Sequence, residues 1–441
     1  MTPPRVYKNT DLPWLDQIPI DWKTSRAKAI FRLVTEKSSA AHGMELLSVY
    51  THIGVRPRKD LEQRGNKASN TDGYWLVKRG DIVVNKLLAW MGAVGVSHYE
   101  GVTSPAYDIL RPRVEVITDY YHFLFRTPLY LQLFKSRSRG IMDMRLRLYF
   151  DQFGQLPIPV PPVEEQVAIV QYLNFITRKI TKVIAAKRQL IKTLNESKLS
   201  IVRSTVLKGL DPNVFGISIG PGSRLDGPPD WGVLRLKYVT RFSYGESLPA
   251  LKRSGAEFVV YGSNGPVGKS SASNTLEPTI IVGRKGSYGK VNFSKSKCFA
   301  IDTTYFIDSR NTHNDLRWLY YLLQVIDLDK LSQDTGVPGL SRENAYQKIV
   351  PVPALSVQQE IALKLDVEVQ RVDRVISVVA ESVNKLVEYQ SRIITDVVTG
   401  RLDVRNAAAD LPREDEPLSS TIDVRNISGI EDDNEFSEVQ P

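Results

Sequence analysis

The second half of this 441-residue chain repeats the plan of the first. Residues 159–211 align without a gap onto 351–403, with 14 identities in 53 positions. Pro159-Val160-Pro161 matches Pro351-Val352-Pro353, and Gln166, Ile169 and Leu173 match Gln358, Ile361 and Leu365. A repeat period this long means two copies of a whole domain plus connector, and excludes a solenoid of small units. The expected fold is α+β. It has two domains of mixed β/α structure, joined by two long helices packed as an intramolecular antiparallel coiled coil.

The helices are read from the repeated segments. Pro161-Pro162 suits a first turn, where a missing N–H is harmless, and Glu164 and Glu165 suit the positive end of the dipole. Ile169, Leu173, Ile180, Val183, Leu190 and Leu194 then follow 4-3 spacing, as do Ile361, Leu365, Val372, Val375, Val379 and Leu386 in the second copy. Such spacing predicts a heptad seam. Residues 1–158 and 212–350 alternate short β-type runs with glycine turns. Tyr120–Lys135 and Asp315–Leu331 are apolar at helical spacing, and Gly92–Gly95 is aligned with Gly286–Gly289. The expected division is a first domain at 1–158, a spacer helix at 159–211, a second domain at 212–350, a second helix at 351–403 and an acidic, disordered tail at 404–441.

Charge narrows the partner. Residues 410–441 hold ten acidic residues against Arg413 and Arg425, a charge of −8, so the rest of a +9 chain carries +17. A body that basic suits a polyanion, with nucleic acid the first expectation. No apolar run approaches the ~20 residues of a membrane span. Met1-Thr2-Pro3-Pro4 does not read as a signal peptide, and the single cysteine, Cys298, fits a reducing cytoplasm.

Catalytic patterns fail on inspection. Gly265–Ser270 resembles the end of a phosphate loop, but Ser263 stands where its first glycine belongs. Gly216-Ile-Ser-Ile-Gly220 has the letters of a nucleophile elbow, but lies among prolines and reads as linker. Ser104-Pro-Ala-Tyr107 lacks the second proline of an amino-methyltransferase tetrapeptide. The five histidines are scattered, so no metal site is expected. Basic residues instead cluster in loops, beside side chains able to bond bases and phosphates. The candidate DNA contacts are Arg56, Arg58, Lys59, Lys86, Arg145 and Arg147 in the first domain. In the second they are Asn264, Lys269, Arg284, Lys285, Tyr288 and Arg342.

The order of parts resembles the specificity (S) subunit of type I restriction–modification systems. The resemblance is carried by LPIPVPPVEEQVAIVQYL (156–173) and VPVPALSVQQEIALKL (350–365), with LKGLD (207–211) and VTGRLD (398–403) closing the helices. YGSNGPVG (261–268), VGRKGSYGKV (282–291), GVPGLSRENA (336–345) and GAVGVSHYEGVTSPAYDI (92–109) add to it. It implies a non-catalytic DNA-binding scaffold whose two target-recognition domains each read half of a split double-stranded sequence. The paired helices would hold those domains apart and bind two methyltransferase (M) subunits, which carry S-adenosylmethionine and methylate adenine. Restriction (R) subunits would join that core. Val357 departs from the pattern, standing where the first copy has Glu165. The family's base-reading residues vary with target, so none is carried over. Two other readings stay open, a DNA methyltransferase or nuclease with an unrecognised site, and a coiled-coil scaffold for proteins.

Overall fold

The computed structural model describes residues 5–12, 14–38, 44–60, 73–140, 145–211, 217–220, 223–225, 228–253, 255, 257–331 and 339–411. The chain divides into two units, residues 1–188 with 381–441, and residues 189–380. Each unit therefore holds one β/α domain and half of each long helix.

In the first unit, β1 (Phe31–Val34), β2 (Ile82–Asn85), β3 (Val94–Val96) and β4 (Tyr107–Pro112) form an antiparallel sheet ordered β1-β4-β2-β3. β2 is buried throughout, with apolar Ile82, Val83 and Val84, because both its faces are covered. Successive side chains alternate between faces. Ile82 and Val84 enter a core with Phe31, Tyr121 and Phe125, while Val83 joins Leu47, Val49 and Val55 of a hairpin on the other side. The second unit repeats this order with β5 (Ser243–Tyr244), β6 (Thr279–Gly283), β7 (Val291–Ser294) and β8 (Thr304–Ile307), as β5-β8-β6-β7.

Strand register corrects part of the sequence alignment. Val94 lies opposite Val84, and Val291 opposite Val282. Gly92 therefore corresponds to Gly289, three positions from the sequence match. Both adopt positive φ, +99° and +76°, where an added Cβ would lie 3.0 Å from the Thr51 carbonyl oxygen and 2.4 Å from the Asp329 nitrogen. By the same register Asp108, not Tyr107, corresponds to Tyr305.

Other expectations also shift. The segment 120–135 is two helices, Thr118–Phe125 and Pro128–Arg137, broken where Thr127 caps the second by accepting from the Tyr130 N–H. The helix expected over 315–331 spans Leu316–Val325, capped by Asp315, and the chain then turns through Asp327 at φ +55°. The stretch read as linker pairs Ile217–Gly220 with Ser223–Leu225, and the phosphate-loop look-alike is a strand, Gly265–Ser270. The tail assignment starts too early, since Arg405–Ala409 is helical with Val404 and Ala408 buried. Residues 412–441 lie outside the described residues.

The long helices are α1 (Val163–Lys208) and α2 (Leu355–Val398). In the first unit Ile169 and Leu173 share a core with Ile393 and Val397, and Ile180 and Ile184 share one with Val383. In the second unit Val202 and Val206 share a core with Ile361 and Leu365, and Lys198 Nζ lies 2.6 Å from Asp373 Oδ1. The halves run antiparallel within each unit.

Their seam departs from the heptad at three of the expected positions. Val183, Leu190 and Val375 are 45–46% exposed, whereas their neighbours Ile184, Ile191 and Ile376 are buried or partly buried. Ile169, Ile180, Ile191 and Val202 are eleven apart, as are Ile361, Val372, Val383 and Ile394. Eleven residues over three turns is 3.67 per turn, close to an unstrained helix, whereas a heptad drifts by ~20° per repeat. Adjacent apolar pairs made both registers legible, and helical twist selects the second residue of each. Leu194, Val372, Val379 and Leu386 are partly buried.

Each helix begins and ends against its neighbouring domain by repeated contacts. Gln166 Oε1 accepts from the Ile117 N–H and its Nε2 donates to the Pro161 carbonyl, both at 2.8 Å. Gln358 does the same with the Asp315 N–H (2.8 Å) and the Pro353 carbonyl (2.9 Å). Glu165 accepts from Trp22 Nε1 at 2.8 Å and pairs with Arg5, while Val357 at that position packs against the second core. The helices end at Gly209 (φ +83°) and Gly400 (φ +75°), each 3.1 Å in Cβ reach from a tryptophan, Trp231 and Trp22 respectively. Gly209 and Gly400 are 191 apart, so the gap-free alignment slips by one residue at the helix ends.

Candidate nucleic-acid interface

Three loops of the second unit meet around the Thr303 and Arg284 carbonyls. Thr303 O accepts from Ser263 Oγ (2.7 Å) in the turn of the 258–270 hairpin, and from the backbone N–H of Arg284 (2.9 Å) and Lys285 (3.2 Å) beyond β6. Gly283 permits this approach, since a Cβ there would lie 2.2 Å from Ser287 O and 3.0 Å from Ser263 O. The third loop joins through the Leu340 N–H, which donates to Arg284 O at 2.8 Å. Ser341 then caps the short helix Arg342–Tyr346 by accepting from the Asn344 N–H, which fixes where Arg342 leaves the backbone.

This frame gathers most of the expected second-domain contacts. The guanidinium groups of Arg284 and Arg342 lie over the ring of Tyr244, 5.1 and 5.0 Å from its centroid. Asn264 Oδ1 accepts from Lys290 Nζ at 2.7 Å, and Lys285 is exposed beside Gly339. Tyr305 donates its hydroxyl to Leu340 O at 3.1 Å. Burial and the neighbouring Tyr244 push its pKa up to about 12, against the opposing charge of Arg284. Tyr288 is partly buried against the second core. Lys269 stands on the strand opposite Val259, away from the hairpin turn.

The first unit builds the same frame with different side chains. Leu148 N–H donates to Lys86 O at 2.8 Å, the counterpart of Leu340 and Arg284. Lys86 Nζ donates to Pro105 O (2.7 Å) and lies 3.6 Å from Asp108 Oδ1. Burial pushes the Asp108 carboxyl up, and Lys86 pulls it part-way back. Corresponding positions thus hold a cation on a carboxylate in one domain and on a ring in the other. Arg145 and Arg147 are exposed, with Arg147 beside Leu148 and its backbone paired with Arg139.

The 56–59 cluster is corrected in part. Arg56 is 8% exposed and donates to the Tyr99 hydroxyl at 2.8 Å, so it belongs to the interior. Lys59 is exposed but paired with Glu45 at 2.5 Å, which raises its pKa, and Arg58 is partly buried. Arg64 and Lys67, which continue this basic run in the sequence, lie outside the described residues.

Two residues escaped the sequence reading. Tyr244 is forty residues from Arg284, and no spacing marks it. Arg126 is largely enclosed and donates to Gly92 O (2.7 Å), Val94 O (3.0 Å) and Thr51 O (2.7 Å), tying the first domain's hairpin turn to its glycine loop. Burial pulls its pKa down to about 10, still charged at neutral pH. No helix among the described residues is long and apolar enough to cross a membrane.

Comparison with known proteins agrees with this arrangement. The sequence matches the family described as type I restriction modification DNA specificity domain over residues 19–193 and 228–373, well over half the chain. It is 22% identical over 428 residues to the specificity subunit of type I restriction enzyme MjaVIII of Methanocaldococcus jannaschii, covering 88% of this chain and 95% of that protein. It is similar in fold to a solved chain described under complex assembly and conformational transition of the type I R-M system. There the TM-score is 0.64 at 17% identity, with 87% of this chain and 99% of that one covered. The chain belongs to the family of type I restriction–modification specificity subunits, the non-catalytic subunits that determine DNA target recognition.

Proposed function

We propose that residues 1–158 and 212–350 are two target-recognition domains, each reading one half of a split double-stranded DNA sequence, and that α1 and α2 set the gap between the halves. Two methyltransferase subunits using S-adenosylmethionine, and restriction subunits, complete the assembly in the cytoplasm. The carrying observation is a repeated frame bearing unlike side chains. Lys86 and Arg284 accept from Leu148 and Leu340 in the same way, yet one cation faces Asp108 and the other faces Tyr244. A constant scaffold with divergent tips suits two different half-sites. Arg284, Lys285, Asn264 and Arg342 form the second domain's contact surface, and Arg147 and Arg145 lie on the first domain's.

The test is binding of the full chain to duplex DNA over a salt series. Arg284→Ala and Lys285→Ala are each expected to weaken binding and lower the log–log salt slope by about 0.9, the value of one phosphate contact. Lys86→Ala is expected to change the slope less, because Asp108 already neutralises that charge. Unchanged slopes in both of the first two variants would remove this loop from the DNA surface.

A further inference from the structure

Tyr244 sits at the centre of the second domain's basic surface without carrying charge. Tyr244 is 47% exposed, and two of the site's arginines lie over its ring. Arg284 lies over it at 5.1 Å and Arg342 at 5.0 Å, so the two charges are within about 10 Å of each other. Tyr305 stacks edge-on against Tyr244 at 5.1 Å and also underlies Arg284 at 6.0 Å, while Tyr346 underlies Arg342 at 5.9 Å. Among the described residues no carboxylate lies within ion-pair distance of Arg284, while Arg342 Nε is paired with the exposed Glu343 at 3.6 Å. Two like charges held together beside water repel; Glu343 screens Arg342 from the solvent side, and the rings offset the rest of that cost without neutralising Arg284.

A guanidinium resting on a ring uses its π face, which leaves its in-plane N–H donors free for other partners. Those edges match a planar pair of acceptors, either the O6 and N7 atoms of guanine or two oxygens of a phosphate. Among the described residues the first domain has no such stack, since Lys86 is drawn to Asp108 and Phe150 follows the cap position Tyr149 as Arg342 follows Ser341. We infer that Tyr244 is a positioning residue of the second target-recognition domain, holding Arg284 and Arg342 as one preformed clamp for paired acceptors on DNA. The inference rests on the proposed DNA surface and adds the residue that organises it.

Full-length chain is titrated with a mixed-sequence 40-base-pair duplex at several salt concentrations. Tyr244→Leu is expected to lower affinity about tenfold, the combined loss of two ring–cation contacts, and Tyr244→Phe to stay within about twofold. In an Arg284→Ala/Arg342→Ala background, Tyr244→Leu should add less than about twofold, because contacting residues are not additive. Mapping methylated sites for Tyr244→Leu separates the two acceptor sources. A relaxed letter in one half-site identifies a guanine edge, and an unchanged motif with a shallower salt slope identifies phosphate. Wild-type binding by Tyr244→Leu beside weakened Arg284→Ala, or equal losses in Tyr244→Phe and Tyr244→Leu, would overturn the inference while leaving the DNA surface intact. Wild-type binding by Arg284→Ala and Arg342→Ala as well would instead refute the surface.

Discussion

Four residues added to each long helix, after Arg188 and after Ala380, are expected to lengthen the gap between half-sites by one or two base pairs and leave the half-sites unchanged. These points are where each helix passes from one unit to the other. Four residues add about 6 Å of helix, and DNA advances about 3.4 Å per base pair. They also turn the helix by only ~40° beyond one full turn, which keeps the buried stripe on the same side. Two residues would rotate that stripe by about 200° and are expected to abolish the helix pairing and the methylation with it. The reading loops lie outside both helices, so base preference should not move. Sequencing methylated sites in cells carrying each variant with its partner subunits is the check. Altered half-sites at a constant gap would mean the helices are not the spacer.

Arg126→Met should produce the largest loss of stability among the first domain's polar residues, about 3 kcal/mol. The guanidinium satisfies three carbonyls, Gly92, Val94 and Thr51, inside a largely enclosed site. Methionine fills similar space but leaves those acceptors without that donor, at roughly 1–3 kcal/mol for each group left unsatisfied, less the desolvation cost of the lost charge. Gly92 cannot relax freely, because its positive φ and its approach to Thr51 fix the turn. A denaturant midpoint for Arg126→Met equal to wild type would show that water replaces the donor without cost. The variant should also weaken DNA binding if the 51–53 turn and the 86–92 loop are presented together.

Architecture was legible because it rests on patterns that survive in one sequence. The doubled Pro-Val-Pro and Gln boxes mark helix starts, and Gln166 and Gln358 prove to be buried latches onto Ile117 and Asp315. The seam was legible only to one residue, because pairs such as Val183-Ile184 and Val375-Ile376 satisfy two periods at once. Seven-residue spacing looks regular on paper, while 3.6 residues per turn decides which of the pair is buried. The glycine alignment failed for a related reason. Gly286 and Gly289 both suit a turn, and only the Val94 and Val291 pairings tell which one matches Gly92. Charge clusters were the least legible part. Arg56 and Lys269 look alike in sequence, but the first bonds Tyr99 inside the fold and the second lies outside it. Tyr244 organises its neighbours through stacking that joins three loops, and such a contact leaves no periodic trace.

Two domains that read one interrupted target leave a signature that a single measurement tests. Methylated adenines are mapped across the genome in cells with and without this chain, its partner subunits present in both. The expected difference is one motif made of two defined half-sites separated by a fixed number of unspecified base pairs. A contiguous motif, or methylation that does not depend on the chain, would contradict the account.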